Sequence, residues 1–252
     1  MARYGMVVDM RRCAGCYACV VACQLWNNQR PSTQAWSAVE RREWTAEDGT
    51  PRRAYLPHAC MHCTDAPCEA ACPTGATYTH EDGIVLVDAD ACISCGACVT
   101  ACPFEARVLA TNEGWWFDVE QPAPYEEYGV RTKAAAEKCV MCADRVDEGL
   151  EPACVVNCPG GARIFGDLDD PESPASVALA EAGELAYNVP GSSYYYIGFE
   201  GMPQEFLPTP FEPFAYKPAA DAQASTPASA KAEPAASKTA DASASAATDA
   251  AR

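Results

Sequence analysis

The chain has 252 residues, a formal net charge of −17 and sixteen cysteines. A surface with such an excess of acidic groups repels phosphate backbones, which argues against nucleic-acid binding. No apolar stretch approaches the length of a membrane span, and we therefore expect no direct membrane crossing.

The segments between the cysteines predict short strands, turns and single-turn helices. In chain order, we expect a strand at 6–9, an insertion hairpin at 35–55 turning at Asp48-Gly49, a hairpin at 78–88 turning at Asp82-Gly83, and a strand at 162–165. Trp36 and Trp44 of the insertion hairpin are interpreted as packing residues rather than a platform for a ligand.

The last third of the chain changes in character. Residues 169–217 predict an extended C-terminal segment that packs on the core or on a partner, with a short helix at 175–187 and an aromatic edge strand at 194–199. Residues 218–252 are almost entirely Ala, Ser, Pro, Thr, Asp and Lys, which bury too little apolar surface to offset chain entropy. We expect this tail to be disordered.

The cysteines form four groups along the first two-thirds of the chain. The groups are Cys13, Cys16, Cys19 and Cys23; Cys60, Cys63, Cys68 and Cys72; Cys92, Cys95, Cys98 and Cys102; and Cys139, Cys142, Cys154 and Cys158. The last three groups end in Cys-Pro, whereas Cys23 precedes Gln24. An even number of cysteines also permits disulfides, but neighbours at this spacing are poorly placed to bridge each other. The grouping favours metal ligation.

The spacing of the third group, C-x2-C-x2-C-x3-C-P, is that of bacterial ferredoxins, in which the fourth cysteine ligates the other cluster of a pair. Three cysteines on one tight loop reach three irons of one cube, and the fourth points from the next helical turn toward a neighbouring cube. Zinc is the competing metal, because paired C-x2-C groups also bind it. Three groups nevertheless carry four closely spaced cysteines. We therefore predict [4Fe–4S] clusters.

The segments CMHCTDAPCEAACPTGA, CISCGACVTACPFEAR and KCVMCADRVDEGLEPACVVNCPGGAR resemble the iron–sulfur subunit of the dimethyl sulfoxide reductase family. The resemblance implies an α+β fold over residues 1–168 with two ferredoxin-like modules, in which groups one and four form one pair and groups two and three the other. It also implies four [4Fe–4S] clusters. Their ligands would be Cys13, Cys16, Cys19 and Cys158 (cluster 1); Cys60, Cys63, Cys68 and Cys102 (cluster 2); Cys92, Cys95, Cys98 and Cys72 (cluster 3); and Cys139, Cys142, Cys154 and Cys23 (cluster 4).

The same resemblance implies the partners. The chain would relay electrons for a large catalytic subunit with a molybdenum or tungsten bis-pterin cofactor, often together with a membrane-embedded subunit that exchanges electrons with quinone. The chain would not be an enzyme by itself, and its sequence presents no nucleophile, base or substrate pocket. A free polyferredoxin and the electron-transfer subunit of a membrane hydrogenase are the alternatives.

The N-terminus has no apolar signal core, which predicts assembly in the cytoplasm without a signal of its own. Relatives are often exported already folded with a partner that bears a twin-arginine signal, so the resemblance is compatible with association at either face of a membrane.

Charged residues near the cysteines are candidates for tuning cluster potentials, because a positive charge stabilises the reduced, more negative form of a cluster. Lys138 and Arg145 flank group four, and Arg11 and Arg12 precede group one. His62 lies between two cysteines of group two, where packing within the loop is the simpler interpretation.

Overall fold

The computed structural model describes residues 2–29, 35–110 and 134–208, all within one compact unit, Met1–Ala215. In chain order the elements are β1 (Tyr4–Asp9), α1 (Ala18–Trp26), β2 (Ser37–Thr45), β3 (Pro51–Ala59), α2 (Pro67–Ala70), β4 (Thr77–Thr79), β5 (Val85–Val87), α3 (Ala97–Thr100), β6 (Val108–Leu109), β7 (Ala136–Glu137), α4 (Ala143–Asp147), α5 (Ala153–Val156), β8 (Arg163–Asp167), α6 (Pro174–Ala182), β9 (Ala186–Asn188) and β10 (Tyr194–Ile197). Single 3-10 turns lie at Gly183–Leu185 and Gln204–Phe206.

A four-stranded sheet in the order β8–β1–β10–β9 joins the two ends of the described chain. Strand β1 pairs antiparallel with β8 and parallel with β10. Its apolar run Met6, Val7 and Val8 is almost fully buried, as expected for a strand that is covered on both faces. One core cluster lies on the Met6 and Val8 face, and a second, with Ala175 of α6 and Ile197, lies on the Val7 face.

Three two-stranded sheets are also present among the described residues. Strands β2 and β3 pair in register from Ser37↔Ala59 to Thr45↔Pro51. Strands β4 and β5 form the hairpin between cysteine groups two and three, and β6 pairs with β7. The Trp44 ring packs edge-on against Phe206, with the ring centroids 5.7 Å apart. The long β2–β3 hairpin is thereby anchored to the C-terminal part of the described chain.

Most of the predicted elements are present. The strands expected at 6–9 and 162–165 correspond to β1 and β8, and both hairpins turn where Asp-Gly was expected. Trp36 and Trp44 are packing residues, as predicted: Trp36 is buried and Trp44 packs against the main core cluster. The mixture of short helices and strands agrees with the expected α+β class.

Two expectations for the C-terminal third need correction. The helix expected at 175–187 ends at Ala182, because Gly183 takes a φ of +53° and redirects the chain. Residues 194–199 do not form an edge strand, since β10 lies between β1 and β9. Up to residue 208, the segment predicted at 169–217 contains α6 and supplies two strands of the main sheet. The tail predicted to be disordered, 218–252, lies outside the described residues.

Candidate metal centres

The four cysteine groups share one local design. The first two cysteines lie on a loop, and the third lies on a short helix that follows it: Cys19 on α1, Cys68 on α2, Cys98 on α3 and Cys154 on α5. In groups two, three and four the last cysteine comes just after that helix, whereas Cys23 still lies within α1. Loop and helix together therefore present each group's thiols from two directions.

The loops are tight because they contain residues in the left-handed conformation. Gly15 and Tyr17 have φ values of +67° and +61°, and Ser94 and Gly96 have +56° and +78°. This backbone turns N–H groups toward a sulfur two residues earlier: Ser94 N donates to Cys92 Sγ at 3.4 Å, and Met141 N to Cys139 Sγ at 3.4 Å. Concave arrays of backbone N–H groups of this kind favour anions, including iron–sulfur centres.

The last cysteine of each Cys-Pro group also accepts a backbone N–H. The donors are Thr77 N to Cys72 Sγ at 3.4 Å, Ala106 N to Cys102 Sγ at 3.4 Å and Ala162 N to Cys158 Sγ at 3.2 Å. Cys23 lacks the following proline, and helix α1 continues past it. The amide of Gln29 takes over the donor role, with Nε2 3.2 Å from Cys23 Sγ.

Two cavities are lined by cysteines from distant parts of the chain. One, of about 310 Å³, has Cys72, Cys92, Cys95 and Cys98 in its wall. The other, of about 420 Å³, has Cys23, Cys139, Cys142 and Cys154. In each space, three thiols come from one group and the fourth comes from another.

Electrostatic interactions between thiols indicate two further sets of neighbouring cysteines. Burial, together with the neighbouring Cys60, Cys102 and Cys68 thiols, raises the pKa of Cys63 to about 12. Burial likewise raises the pKa of Cys13; the Gly15 N–H opposes this shift, and the neighbouring Cys19 and Cys158 thiols add to it. Cys102 thus lies near group two and Cys158 near group one.

All sixteen cysteines belong to the described residues and all are free thiols, which rules out the disulfide alternative for this structure. Only Cys16 and Cys95 among them are exposed. Within the described ranges, no three Cys, His, Asp or Glu side chains converge closely enough to hold a single metal ion. A cubane places each thiolate on a different iron, so its ligands are spread more widely than those of one ion.

Three buried cations lie among the thiols: Arg107, Lys138 and Arg163. In the part of the chain that the structure describes, Nε and Nη2 of Arg107 and Nε of Arg163 have no hydrogen-bond acceptor. Buried donors of this kind normally have a partner. The thiol sets, the spaces they line and these N–H groups without acceptors together fit iron–sulfur clusters.

The sequence-based tuning candidates have different surroundings. Lys138 is buried beside Cys139. His62 is buried, and its Nδ1 accepts from Val85 N at 3.0 Å. Burial and the Lys138 and Arg107 charges hold the pKa of His62 well below its usual value. The Arg145 guanidinium lies 4.3 Å from the Trp26 ring, and Arg11 forms an ion pair with Asp9 at 2.8 Å.

Arg107 and Arg163 were missed by sequence reasoning, although a repeat marks both. Groups three and four each continue as C-P-x-x-A-R, which places an arginine five residues after Cys102 and Cys158. Group two continues as C-P-T-G-A-T, and the threonine in that position, Thr77, accepts a hydrogen bond from Arg107 Nη1 at 3.0 Å. Alignment of the three groups by their Cys-Pro pairs would have revealed the pattern.

Comparison with known proteins agrees with this geometry. Profiles of the 4Fe-4S dicluster domain match residues 7–76, 52–116 and 106–168. A Halobacterium salinarum protein named as a dimethyl sulfoxide reductase iron–sulfur subunit is 42% identical over 198 residues, which is 72% of this chain and 72% of that protein.

Two further relatives are components of other reductases. The iron–sulfur subunit of the arsenate respiratory reductase of Shewanella sp. is 36% identical over 202 residues, 69% of this chain and 86% of that protein. A polysulfide reductase component from Wolinella succinogenes is 37% identical over 187 residues, 73% of this chain and 86% of that protein. The resemblance seen in the cysteine motifs is thus confirmed, and the chain belongs to the family of electron-transferring iron–sulfur subunits of the dimethyl sulfoxide reductase type.

Proposed function

We propose that this chain is the electron relay of a reductase complex, holding four [4Fe–4S] clusters and passing electrons to or from a large catalytic subunit with a molybdenum or tungsten bis-pterin cofactor. When bound, each cluster takes up and releases one electron at a time. The chain's own residues supply the ligands, the hydrogen bonds to sulfur and the shielding from water. Catalysis belongs to the partner.

The proposed ligand sets are those implied by the family resemblance. They are Cys13, Cys16, Cys19 and Cys158 for cluster 1; Cys60, Cys63, Cys68 and Cys102 for cluster 2; Cys92, Cys95, Cys98 and Cys72 for cluster 3; and Cys139, Cys142, Cys154 and Cys23 for cluster 4. The observation that carries the proposal is the mixed origin of the thiols around each space: Cys72 joins group three, and Cys23 joins group four.

Proximity between the sets supports a linear order, 1–4–2–3. Cys19 of cluster 1 interacts electrostatically with Cys154 of cluster 4, and Cys60 of cluster 2 with Cys139 of cluster 4. Cys68 of cluster 2 belongs to the same buried cluster of side chains as Cys92 and Cys98 of cluster 3. The exposed cysteines, Cys16 and Cys95, belong to the two sets at the ends of this order. Electrons would therefore enter at one end and leave at the other, with the two middle sets shielded by protein.

Exchange of serine for cysteine tests the ligand sets. Cys23→Ser should alter the same cluster signal in electron paramagnetic resonance as Cys139→Ser, and Cys95→Ser should convert or remove one other cluster while the rest assemble. The parent protein should contain about sixteen irons and sixteen acid-labile sulfides. If Cys23→Ser instead altered the signal affected by Cys13→Ser, the exchange of fourth cysteines would be wrong. Zinc without sulfide would refute the clusters altogether.

The partner proposal rests on the named reductase components among the relatives. None of the helices in the described residues is long and apolar enough to cross a bilayer, and we propose that any membrane association occurs through partners. Anaerobic purification of the tagged chain from its native host should recover a large molybdenum- or tungsten-containing subunit in a one-to-one ratio. Recovery of the fully loaded chain alone would favour a free polyferredoxin, and recovery with a nickel–iron subunit would favour a hydrogenase.

A further inference from the structure

Three cations are buried without a carboxylate partner. The exposed fractions of Arg107, Lys138 and Arg163 are 2%, 1% and 3%, and none of the three forms an ion pair with Asp or Glu in the part of the chain that the structure describes. Removing a charge from water costs several kcal/mol unless an opposite charge compensates it. In each case the groups in position to compensate are cysteines, which would be thiolates as cluster ligands.

Arg163 lies where the sets of clusters 1 and 4 meet. Its Nη1 is 3.8 Å from Cys154 Sγ and donates to the Tyr194 hydroxyl at 2.9 Å, and its Nη2 donates to Ser37 Oγ at 2.8 Å. The guanidinium also interacts electrostatically with Cys19 and Cys13. Cys154 belongs to the proposed cluster 4, whereas Cys19 and Cys13 belong to cluster 1.

Lys138 occupies the equivalent place between clusters 4 and 2. Its ammonium group donates to two carbonyl oxygens, those of Val85 and Cys139. The ammonium group interacts electrostatically with the Cys60, Cys139 and Cys68 thiols and with the Arg107 guanidinium. Cys139 belongs to cluster 4, and the other two thiols belong to cluster 2.

Arg107 lies between the ligand sets of clusters 2 and 3. Its Nη1 is held by Thr77 Oγ1 at 3.0 Å. The guanidinium faces Cys68 and Cys60 of cluster 2 and Cys98 of cluster 3. Its Nε and Nη2, which lack acceptors among the described residues, remain free to donate to sulfur.

We propose that each of these three cations is a positioning residue for electron transfer that serves one junction of the relay, stabilising an added electron on the two clusters that flank it. This proposal rests on the proposed ligand sets. A fixed positive charge in a poorly screened interior favours the more negative, reduced form of a cluster. Because each cation faces two ligand sets, it raises the reduction potentials of both flanking clusters together. The potentials of neighbouring clusters thereby stay close to each other. No bond or proton changes; only the electron moves.

A purely structural role is the alternative, in which the cations neutralise thiolates and fasten loops together. The two roles differ in the pattern of potentials. A structural cation affects cluster content or stability, whereas a junction cation shifts two assigned potentials and leaves the most distant cluster unchanged.

The test is a redox titration of the anaerobically purified, fully loaded protein by electron paramagnetic resonance, with signals assigned through the cysteine variants described above. Arg163→Gln should lower the potentials of clusters 1 and 4, Lys138→Gln those of clusters 4 and 2, and Arg107→Gln those of clusters 2 and 3. We expect the equilibrium constant for reduction of each affected cluster to fall at least about tenfold. Such a change lowers the reduction potential by about 59 mV for one electron. Arg12→Gln is the matched control, because Arg12 precedes Cys13 but is exposed, where solvent screens its charge.

The controls for loss of folding are the charge-retaining variants Arg163→Lys, Lys138→Arg and Arg107→Lys. If a glutamine variant fails to retain its clusters, the charge-retaining variant should retain them with the parental potentials. Failure of both would show that side-chain shape, not charge, is needed, and would overturn the proposal. Unchanged potentials in loaded glutamine variants, or equal shifts of all four clusters, would also overturn it. Wrong ligand sets would be detected separately, by the cysteine variants alone.

Discussion

Two features of the structure favour glycine at position 15, in the loop between Cys13 and Cys16. Its φ of +67° is a conformation that other residues adopt at a cost. In addition, a Cβ at this position would lie 2.4 Å from the Tyr55 ring. Tyr55 belongs to β3, so the loop that carries the first thiols of cluster 1 closes directly onto the insertion hairpin.

Gly15→Ala should therefore destabilise the protein more than Gly49→Ala. Gly49 has a similar φ of +80°, but nothing lies within 4 Å of the position of its Cβ. Gly49→Ala should cost about 1–2 kcal/mol from backbone conformation alone, and Gly15→Ala a further ~1–3 kcal/mol from overpacking. The thermal midpoint and iron content of the loaded protein would measure the difference. Equal losses in the two variants would show that Tyr55 moves aside freely.

At the residue scale, the cluster ligands inferred from the cysteine spacing stay a prediction, and sequence reasoning was incomplete for the surroundings of these cysteines. The sequence shows that no proline follows Cys23, but it does not reveal that the Gln29 side chain donates to the Cys23 sulfur. Arg107 and Arg163 act through space on thiols from distant groups, and such contacts depend on how the loops pack. Lys138 was singled out because it adjoins Cys139, yet its contact with Cys60 becomes visible only in the fold.

Among the elements, β10 differed most from expectation. Its sequence Tyr-Tyr-Tyr-Ile was interpreted as an aromatic edge strand, yet Tyr194 and Tyr196 are fully buried. The Tyr196 hydroxyl donates to Pro57 O at 3.0 Å, and the Tyr194 hydroxyl accepts from Arg163. Local pattern could not reveal this, because the pairing partner of β10 is the N-terminal strand β1. The hairpins were easier to predict, since their partners are close in sequence.

Truncation separates the roles of β9 and β10 from that of the tail. A chain that ends at Leu185 loses both strands and with them two buried tyrosines, each worth about 3–5 kcal/mol by analogy with other large aromatic residues. We expect it to be insoluble or poor in iron. A chain that ends at Lys217 keeps every described element and should retain the iron content of the full chain. Iron and sulfide analysis of the soluble fractions checks this; loss of iron from the longer truncation would assign the tail a structural role.

The whole molecule combines a strongly acidic composition with three cations buried among its cysteines. Of its 18 basic side chains, these are Arg107, Lys138 and Arg163. Three acidic side chains, Asp9, Asp82 and Glu137, are buried in other places, so the formal charge of −17 also describes the sign of the surface. Composition predicted the acidic surface, whereas the placement of the three cations required the fold. A surface of this kind favours partners with basic docking faces.

The central position of β1 has a consequence for synthesis of the chain on the ribosome. Its parallel partner β10 emerges about 190 residues later, which at about 5–20 residues per second takes ~10–40 s. Throughout that time the apolar run Met6–Val8 has at least one unpaired edge, and such edges invite pairing with other chains. The first strand to be made is thus among the last to have both of its edges paired.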